Sequence, residues 1–262
     1  MFLAGLVAVA ACAGCKGRKG QAVSIVGSTS VQPFAELLAE EYGQKHPAVL
    51  VEVQGGGSTA GIQALANHLA DIGTCSRSLK PAEAAEFEPI VIARDGLAVV
   101  VHPSNPLRAI SLGDLRRLFA GRVSNWKQVG GDDRPVRLIV REEGSGTREA
   151  FMHLVMGKQR VSRKALVQES NGSVKELVKH DPAAVGYMSL GLVAGELGML
   201  KIDGAAPTSE AVQAGRYPLA RPFLFVVRKG APPPRPVQEF IDYVLSPDGQ
   251  ATLEREGLCR AK

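Results

Sequence analysis

A chain of 262 residues, 45% of them hydrophobic, carries enough apolar side chains for one large domain or two ordinary ones, which excludes a disordered polymer. Aromatic residues make up only 5%, and the excess of 31 Lys and Arg over 26 Asp and Glu is spread without a like-charged block. That pattern argues against nucleic-acid binding, which favours clustered cations and stacking rings, and is compatible with an acidic small solute.

The chain opens on a leader, MFLAGLVAVAACAGCKGRKG, in which an uncharged apolar run leads through small residues to Cys15 and then to Lys16, Arg18 and Lys19. The run is shorter than the roughly 20 residues a membrane-spanning helix needs, and no later segment approaches that length. Its layout is that of an export signal. Ala13-Gly14-Cys15 resembles a bacterial lipobox, whose cysteine is lipidated and becomes the mature N-terminus, although Cys12 stands where Leu is usual and no Lys or Arg precedes the run. The expected division is a lipoprotein-type signal peptide over 1–14, Cys15 as the lipid anchor and a tether over 15–21. Cys75 and Cys259 form neither a zinc pattern nor a CxxC pair, and their spacing leaves open whether they join.

From Ala22 onward, short β-branched runs alternate with longer amphipathic ones: AVSIVG, VQPFAELLAEEYGQKH, AVLVEVQ, AGIQALANHL and ADIGTC. This alternation predicts an α/β sheet. Val31, Phe34, Leu37, Leu38 and Tyr42 fall on one helical face, with Glu36, Glu40 and Glu41 off it. A second series begins at DGLAVVVHPSNP and continues through SLGDLRRLFAG, RPVRLIVREEGSGTREAFMHLVM, SNGSVKELVKHDP and AAVGYMSL. RPFLFVVRKG returns to a strand, and PVQEFIDYVLSPDGQATLEREG reads as two helices parted at Ser246-Pro247. The extended runs Gly96 to His102 and Pro222 to Val227 are the expected crossings between two lobes. Lobe one then holds 22–98 and 224–262, lobe two holds 99–223, and a cleft lies between them.

Three Gly/Ser/Thr-rich segments each precede a predicted helix: Gly27-Ser28-Thr29-Ser30, Gly55-Gly56-Gly57-Ser58-Thr59 and Gly144-Ser145-Gly146-Thr147. The first turn of a helix has N–H donors without intrahelical partners and a partial positive charge, glycines let backbone come close, and hydroxyls add donors. Each segment alone is an ordinary cap or turn; together, after short strands, they can converge on one anion. Arg141 ends the strand VRLIVR beside the third segment, and its guanidinium fork matches two oxygens of a tetrahedral anion. A surface salt bridge to Glu142 or Glu143 is the alternative.

The ordered blocks GSTSVQPFAE, HPAVLVEVQGGGSTAGI, ADIGTCSRSL, DGLAVVVHPSNP, SNWKQVGG, REEGSGTREAF, AVGYMSLG, RPFLFV and IDYVLSPDGQ, spanning about 22 to 257, resemble the phosphate-binding protein of the bacterial high-affinity phosphate importer. The resemblance implies a two-lobed periplasmic-binding-protein fold of type II, with discontinuous lobes joined by two crossings. It further implies hinge closure over dehydrated phosphate and delivery to an ABC permease and ATPase complex, by a monomer held at the cell envelope by its lipid anchor. It implies neither cofactor nor metal. Carried over by position, Thr29, Ser30 and Ser58 are contacts from one jaw, and Arg141, Ser145, Gly146 and Thr147 from the other, with Glu143 holding Arg141. Ser76, followed by Arg77, stands where members of the longer branch place an aspartate that accepts the phosphate proton; both are carried over as contacts. Asp71 reads as a structural carboxylate at a strand end, with a supporting role behind the site as the alternative.

Other classes compete less well. Ser145 lies in EEGSGT rather than G-x-S-x-G, and His46, His68, His102, His153 and His180 form no H-E-x-x-H spacing. GGGSTAGI lacks the Lys of a nucleotide-binding phosphate loop. Sulfate or molybdate is the alternative ligand, and a phosphatase or a surface sensor or adhesin the alternative class.

Overall fold

The computed structural model describes residues 21–261. The leader and Cys15 therefore lie outside the described residues, and Gln21, the end of the expected tether, already belongs to the first strand. Among the described residues no helix is long and apolar enough to cross a membrane, and no cluster of His, Cys, Asp and Glu could hold a metal ion.

The first lobe begins with β1 (Gln21–Gly27), α1 (Gln32–Lys45), β2 (Val49–Gly55), α2 (Ser58–Ala66), β3 (Ile72–Cys75) and α3 (Pro81–Glu86). A long strand, β4 (Phe87–Val101), leads into β5 (Ala109–Ile110), α4 (Leu112–Phe119), β6 (Arg137–Arg141), α5 (Gly146–Phe151), β7 (Leu166–Gln168), α6 (Asn171–His180) and β8 (Ala184–Ser189). After β9 (Gly198–Met199), β10 (Lys201–Ile202) and α7 (Ser209–Gln213), the chain returns through β11 (Ala220–Arg228) and ends in α8 (Arg235–Leu245), α9 (Pro247–Arg255) and β12 (Cys259–Arg260).

Local sequence accounts for several of these elements. In α1, Phe34, Ala35, Leu38 and Tyr42 are buried while Glu36 and Glu40 are exposed, as their spacing predicts. Pro33 in the first turn supplies a preset φ where no N–H bond is lost. Ser246 separates α8 from α9, its side chain accepting from Gly249 N.

The strand order is β2-β1-β3-β11-β4-β8-β6-β7. On one side, β1 pairs in parallel with β2 and β3, and β11 runs antiparallel to β3 and β4. On the other, β4 pairs antiparallel with β8, and β6 lies parallel to β7 and β8. Because β4 is a single 15-residue strand, it belongs to both halves: its pairing passes from β11 to β8 between Gly96 and Leu97. β11 pairs with β4 from Ala220 onward, so Pro222 to Val227 lies wholly inside the first half rather than crossing between the two. The expected second boundary thus moves back to the start of β11.

Each half has its own core. Val23, Ile25, Phe34, Leu38, Tyr42, Phe223, Phe225 and Phe240 pack in the first lobe. In the second, Phe119, Phe151 and Tyr187 meet, with the rings of Phe151 and Tyr187 stacked at 3.9 Å. Independent cores joined by two chain passages make relative lobe motion the natural soft mode.

Candidate anion-binding site

The three Gly/Ser/Thr-rich segments converge where the lobes meet. Thr29 and Ser30 lie in the turn between β1 and α1, Ser58 opens α2, Ser76 follows β3, and Ser145, Gly146 and Thr147 cap and open α5. Ser30, Ser58, Ser76, Ser145 and Thr147 are all buried. Ser30 Oγ of one lobe lies 2.6 Å from Thr147 Oγ1 of the other. Backbone joins them too, Thr59 N donating to Gly144 O at 3.2 Å. Gly57 sits at φ 95, and a Cβ there would come within 2.9 Å of Gly144 O, so the approach of the two loops requires glycine.

Arg141, at the end of β6, is fully buried. Its Nη2 donates across the cleft to Thr29 Oγ1 at 2.9 Å and to Glu169 O at 3.0 Å, while Nε and Nη2 both reach the Glu142 carboxylate at 2.9 Å. Glu142 therefore holds Arg141; Glu143, the expected partner, is exposed. Both acids lie past the end of β6, in the turn that leads to α5. Strand alternation would have put Glu143, two residues on, on the side of Arg141, and the turn instead folds Glu142 back onto the guanidinium. The backbone N–H of Arg141 donates to Tyr187 Oη at 3.2 Å, tying the site to the aromatic core, and burial pushes the Tyr187 phenol up to about 12. Arg141 Nη1 is buried and has no hydrogen-bond partner among the described residues. A buried guanidinium donor without an acceptor is costly, and an anion placed here would satisfy it.

Three buried residues missed in the sequence, Arg221, Asp95 and Asn171, complete the cluster. Arg221 Nη1 donates to Thr147 Oγ1 at 2.7 Å, and its Nε to Asp95 Oδ2 at 2.9 Å. Asp95 also accepts from Ser189 Oγ at 2.9 Å. Burial pushes the Asp95 carboxyl up against the pull of Arg221 and Ser189, and burial likewise lowers Arg221. Asn171, opening α6, donates from Nδ2 to Ser30 Oγ at 2.9 Å and accepts from Ser189 N at 3.1 Å. The available signal was a polar pair set in apolar strands: Asp95 just before GLAVVV and Arg221 just before PFLFVV.

These contacts polarise the hydroxyls. Guanidinium, amide N–H and backbone N–H groups only donate, so Thr29, Thr147 and Ser30 accept from Arg141, Arg221 and Asn171, and Ser58 and Ser145 accept from Ser76 N and Arg148 N. Ser76 Oγ accepts from Ser28 Oγ at 2.9 Å. Thr29, Ser58, Ser76 and Ser145 are each left with a proton to give, while of Ser30 and Thr147, 2.6 Å apart, one gives its proton to the other and the second keeps its own, a lining suited to a ligand rich in acceptors.

Arg77 does not join this cluster. Its guanidinium binds Glu83 at 2.7 and 2.9 Å and Glu149 at 2.9 Å, away from the hydroxyls. Asp71 accepts from Ser24 N and Oγ, both at 2.9 Å, which is the structural role expected at a strand end. Cys75 and Cys259 are buried free thiols.

A family model described as a PBP superfamily domain matches residues 16–248. A crystal structure from Clostridium perfringens, described as a phosphate ABC transporter substrate-binding protein with bound phosphate, is 36% identical with a TM-score of 0.88, covering 92% of this chain and 100% of that one. An ABC-type phosphate transport receptor from Vibrio cholerae is 38% identical with a TM-score of 0.78, over 90% of this chain and 99% of that one. The phosphate-binding protein PstS of Bacillus subtilis is 28% identical over 235 residues, 88% of this chain and 77% of that protein. The chain belongs to the PBP superfamily, in the same family as these substrate-binding proteins of phosphate transport.

Proposed function

We propose that the protein captures inorganic phosphate between its lobes and delivers it to an ABC permease. The observation that carries this reading is Arg141 Nη1, a buried cationic donor without a partner, set among hydroxyls whose lone pairs are engaged by donor-only groups. Phosphate offers four oxygens to such a lining, and charge-assisted bonds in a dry cleft are the strong ones. In this reading Thr29, Ser30, Ser58 and Ser76 hold the anion from the first lobe, and Arg141, Ser145, Gly146 and Thr147 from the second. Family relatives named for phosphate transport support the same assignment.

The activity is capture without turnover, by a monomer outside the cytoplasm, tethered through acylated Cys15. Fatty-acid labelling of cells carrying the wild type and Cys15→Ser tests the tether; equal labelling of both defeats it. Sulfate or molybdate is a second reading, favoured because the acids tied to the cluster, Glu142 and Asp95, each hold an arginine rather than offering an acceptor. Calorimetric titration of anion-stripped protein with phosphate, sulfate and molybdate decides between them. Tightest binding of phosphate is expected, with no phosphate released from a phosphomonoester. Binding of sulfate alone, or hydrolysis that survives purification and disappears in Ser145→Ala, overturns the assignment.

A further inference from the structure

Outside the hydroxyl cluster, a second set of polar side chains joins the lobes. Glu149, on α5 of the second lobe, faces Thr59, Arg77 and Lys80 of the first. Its Oε2 lies 2.9 Å from Arg77 Nε and 2.8 Å from Lys80 Nζ, and its Oε1 accepts from Thr59 Oγ1 at 3.1 Å. Arg77 is only 5% exposed, and its other nitrogens are taken by Glu83 and Ser78 O within its own lobe. Its buried Nε meets no counter-charge among the described residues except Glu149. With the lobes together, Arg77, Lys80, Glu83 and Glu149 sum to zero charge; with the lobes apart, the first carries one uncompensated cation and the second one uncompensated anion. Opening must therefore rehydrate Glu149 and a guanidinium edge that is otherwise buried.

We infer that Glu149, gripping Arg77 and Lys80, is a clasp that sets the affinity of the cleft by holding the lobes shut without touching the anion. The inference rests on the proposed anion capture. A ligand held only in the closed form binds with its intrinsic affinity multiplied by the fraction of molecules closed, so a contact that favours closure tightens every anion the cleft accepts. Its loss acts mainly on release, because a desolvated pair must break before the anion leaves. Lys80, half exposed, contributes less than Arg77.

The test pairs two readouts on the full chain. Stopped-flow release of phosphate from Glu149→Gln is expected to be about three- to tenfold faster than from wild type, and less sensitive to added salt. Lys80→Met is expected to speed release by about twofold, with no added effect in the Glu149→Gln background. Spin labels at the exposed Gln63→Cys and Lys158→Cys positions report lobe separation without any ligand, and Glu149→Gln is expected to shift the distance distribution of the stripped protein toward the open form. Unchanged release and unchanged distances in Glu149→Gln overturn the clasp. If that variant melts early, Lys80→Met decides, since unchanged release from a normally folded Lys80→Met chain also overturns it. Wild-type protein that binds no phosphate refutes the capture reading, while the label distances still judge the clasp.

Discussion

Asp95 and Arg221 are register partners across β4 and β11, joined at 2.9 Å through Nε and at 2.8 Å through Nη2 at the point where the chain passes between lobes. From there Asp95 accepts from Ser189 and Arg221 donates to Thr147, both in the second lobe. The pair is buried, so removing one charge strands the other at a cost of about 3–5 kcal/mol. Arg221→Met is expected to lower the midpoint of chemical unfolding markedly, whereas Arg221→Lys folds but binds anion more weakly because a point charge cannot serve Asp95 and Thr147 together. Lys at this position with unaltered affinity places Thr147 beyond the influence of the hinge.

Arg141→Ala is expected to weaken phosphate binding at least about tenfold, since a charge-assisted hydrogen bond contributes roughly 1.5–3 kcal/mol and about 1.4 kcal/mol is one decade. Arg141→Lys recovers part of the loss. Glu142→Gln loosens the guanidinium and weakens binding, while Glu143→Gln, on the exposed side, behaves like wild type. Isothermal titration of the four variants at one ionic strength checks the order, with Arg117→Ala, exposed on α4, as the control. A larger effect at Glu143 than at Glu142 reverses the assignment.

Gly146→Ala adds one methyl group to the second lobe, where it collides with Ser58 Oγ and lies 2.6 Å from Ser76 Oγ of the first. Neither lobe's own core is disturbed. The expected result is a normal melting temperature, a loss of affinity of more than about tenfold by the same conversion, and a scattering radius that no longer shrinks on adding phosphate. Normal compaction in this variant means the lobes close along a different path.

The hydroxyl cluster presents donors, so the more deprotonated anion is the better ligand. Phosphate affinity is expected to rise with pH as the anion passes from singly to doubly ionised, while sulfate affinity stays level across the same range. Tyr187, held up to about 12 by burial, keeps its proton throughout and contributes no step of its own. Affinity that falls with rising pH points to an acceptor of the phosphate proton inside the cleft.

Burial raises the Cys75 thiol to about 12 and also raises Cys259. Because the thiolate is the reactive form, a chain with Cys12→Ser and Cys15→Ser is expected to label slowly with maleimide near neutral pH. Two thiols per chain become reactive after denaturation without reductant. A native disulfide yields none.

The alternation of strand and helix, the buried face of α1 and the Ser246 break were readable from local periodicity and capping, which depend on residues a few positions apart. The three Gly/Ser/Thr segments were readable for the same reason, as was Arg141 beside the third. What stayed hidden depends on long-range pairing. Arg221 meets Asp95 only because the register of β4 with β11 joins residues 126 positions apart, and Asn171 reaches Ser30 across 141. Likewise, the turn after β6 selects Glu142 over Glu143, against the strand alternation, and lobe packing turns Arg77 toward Glu149 rather than the anion site. Sequence periodicity specifies which face of an element is apolar, but a polar side chain finds its partner only when the sheet register and the closed lobes bring the two together.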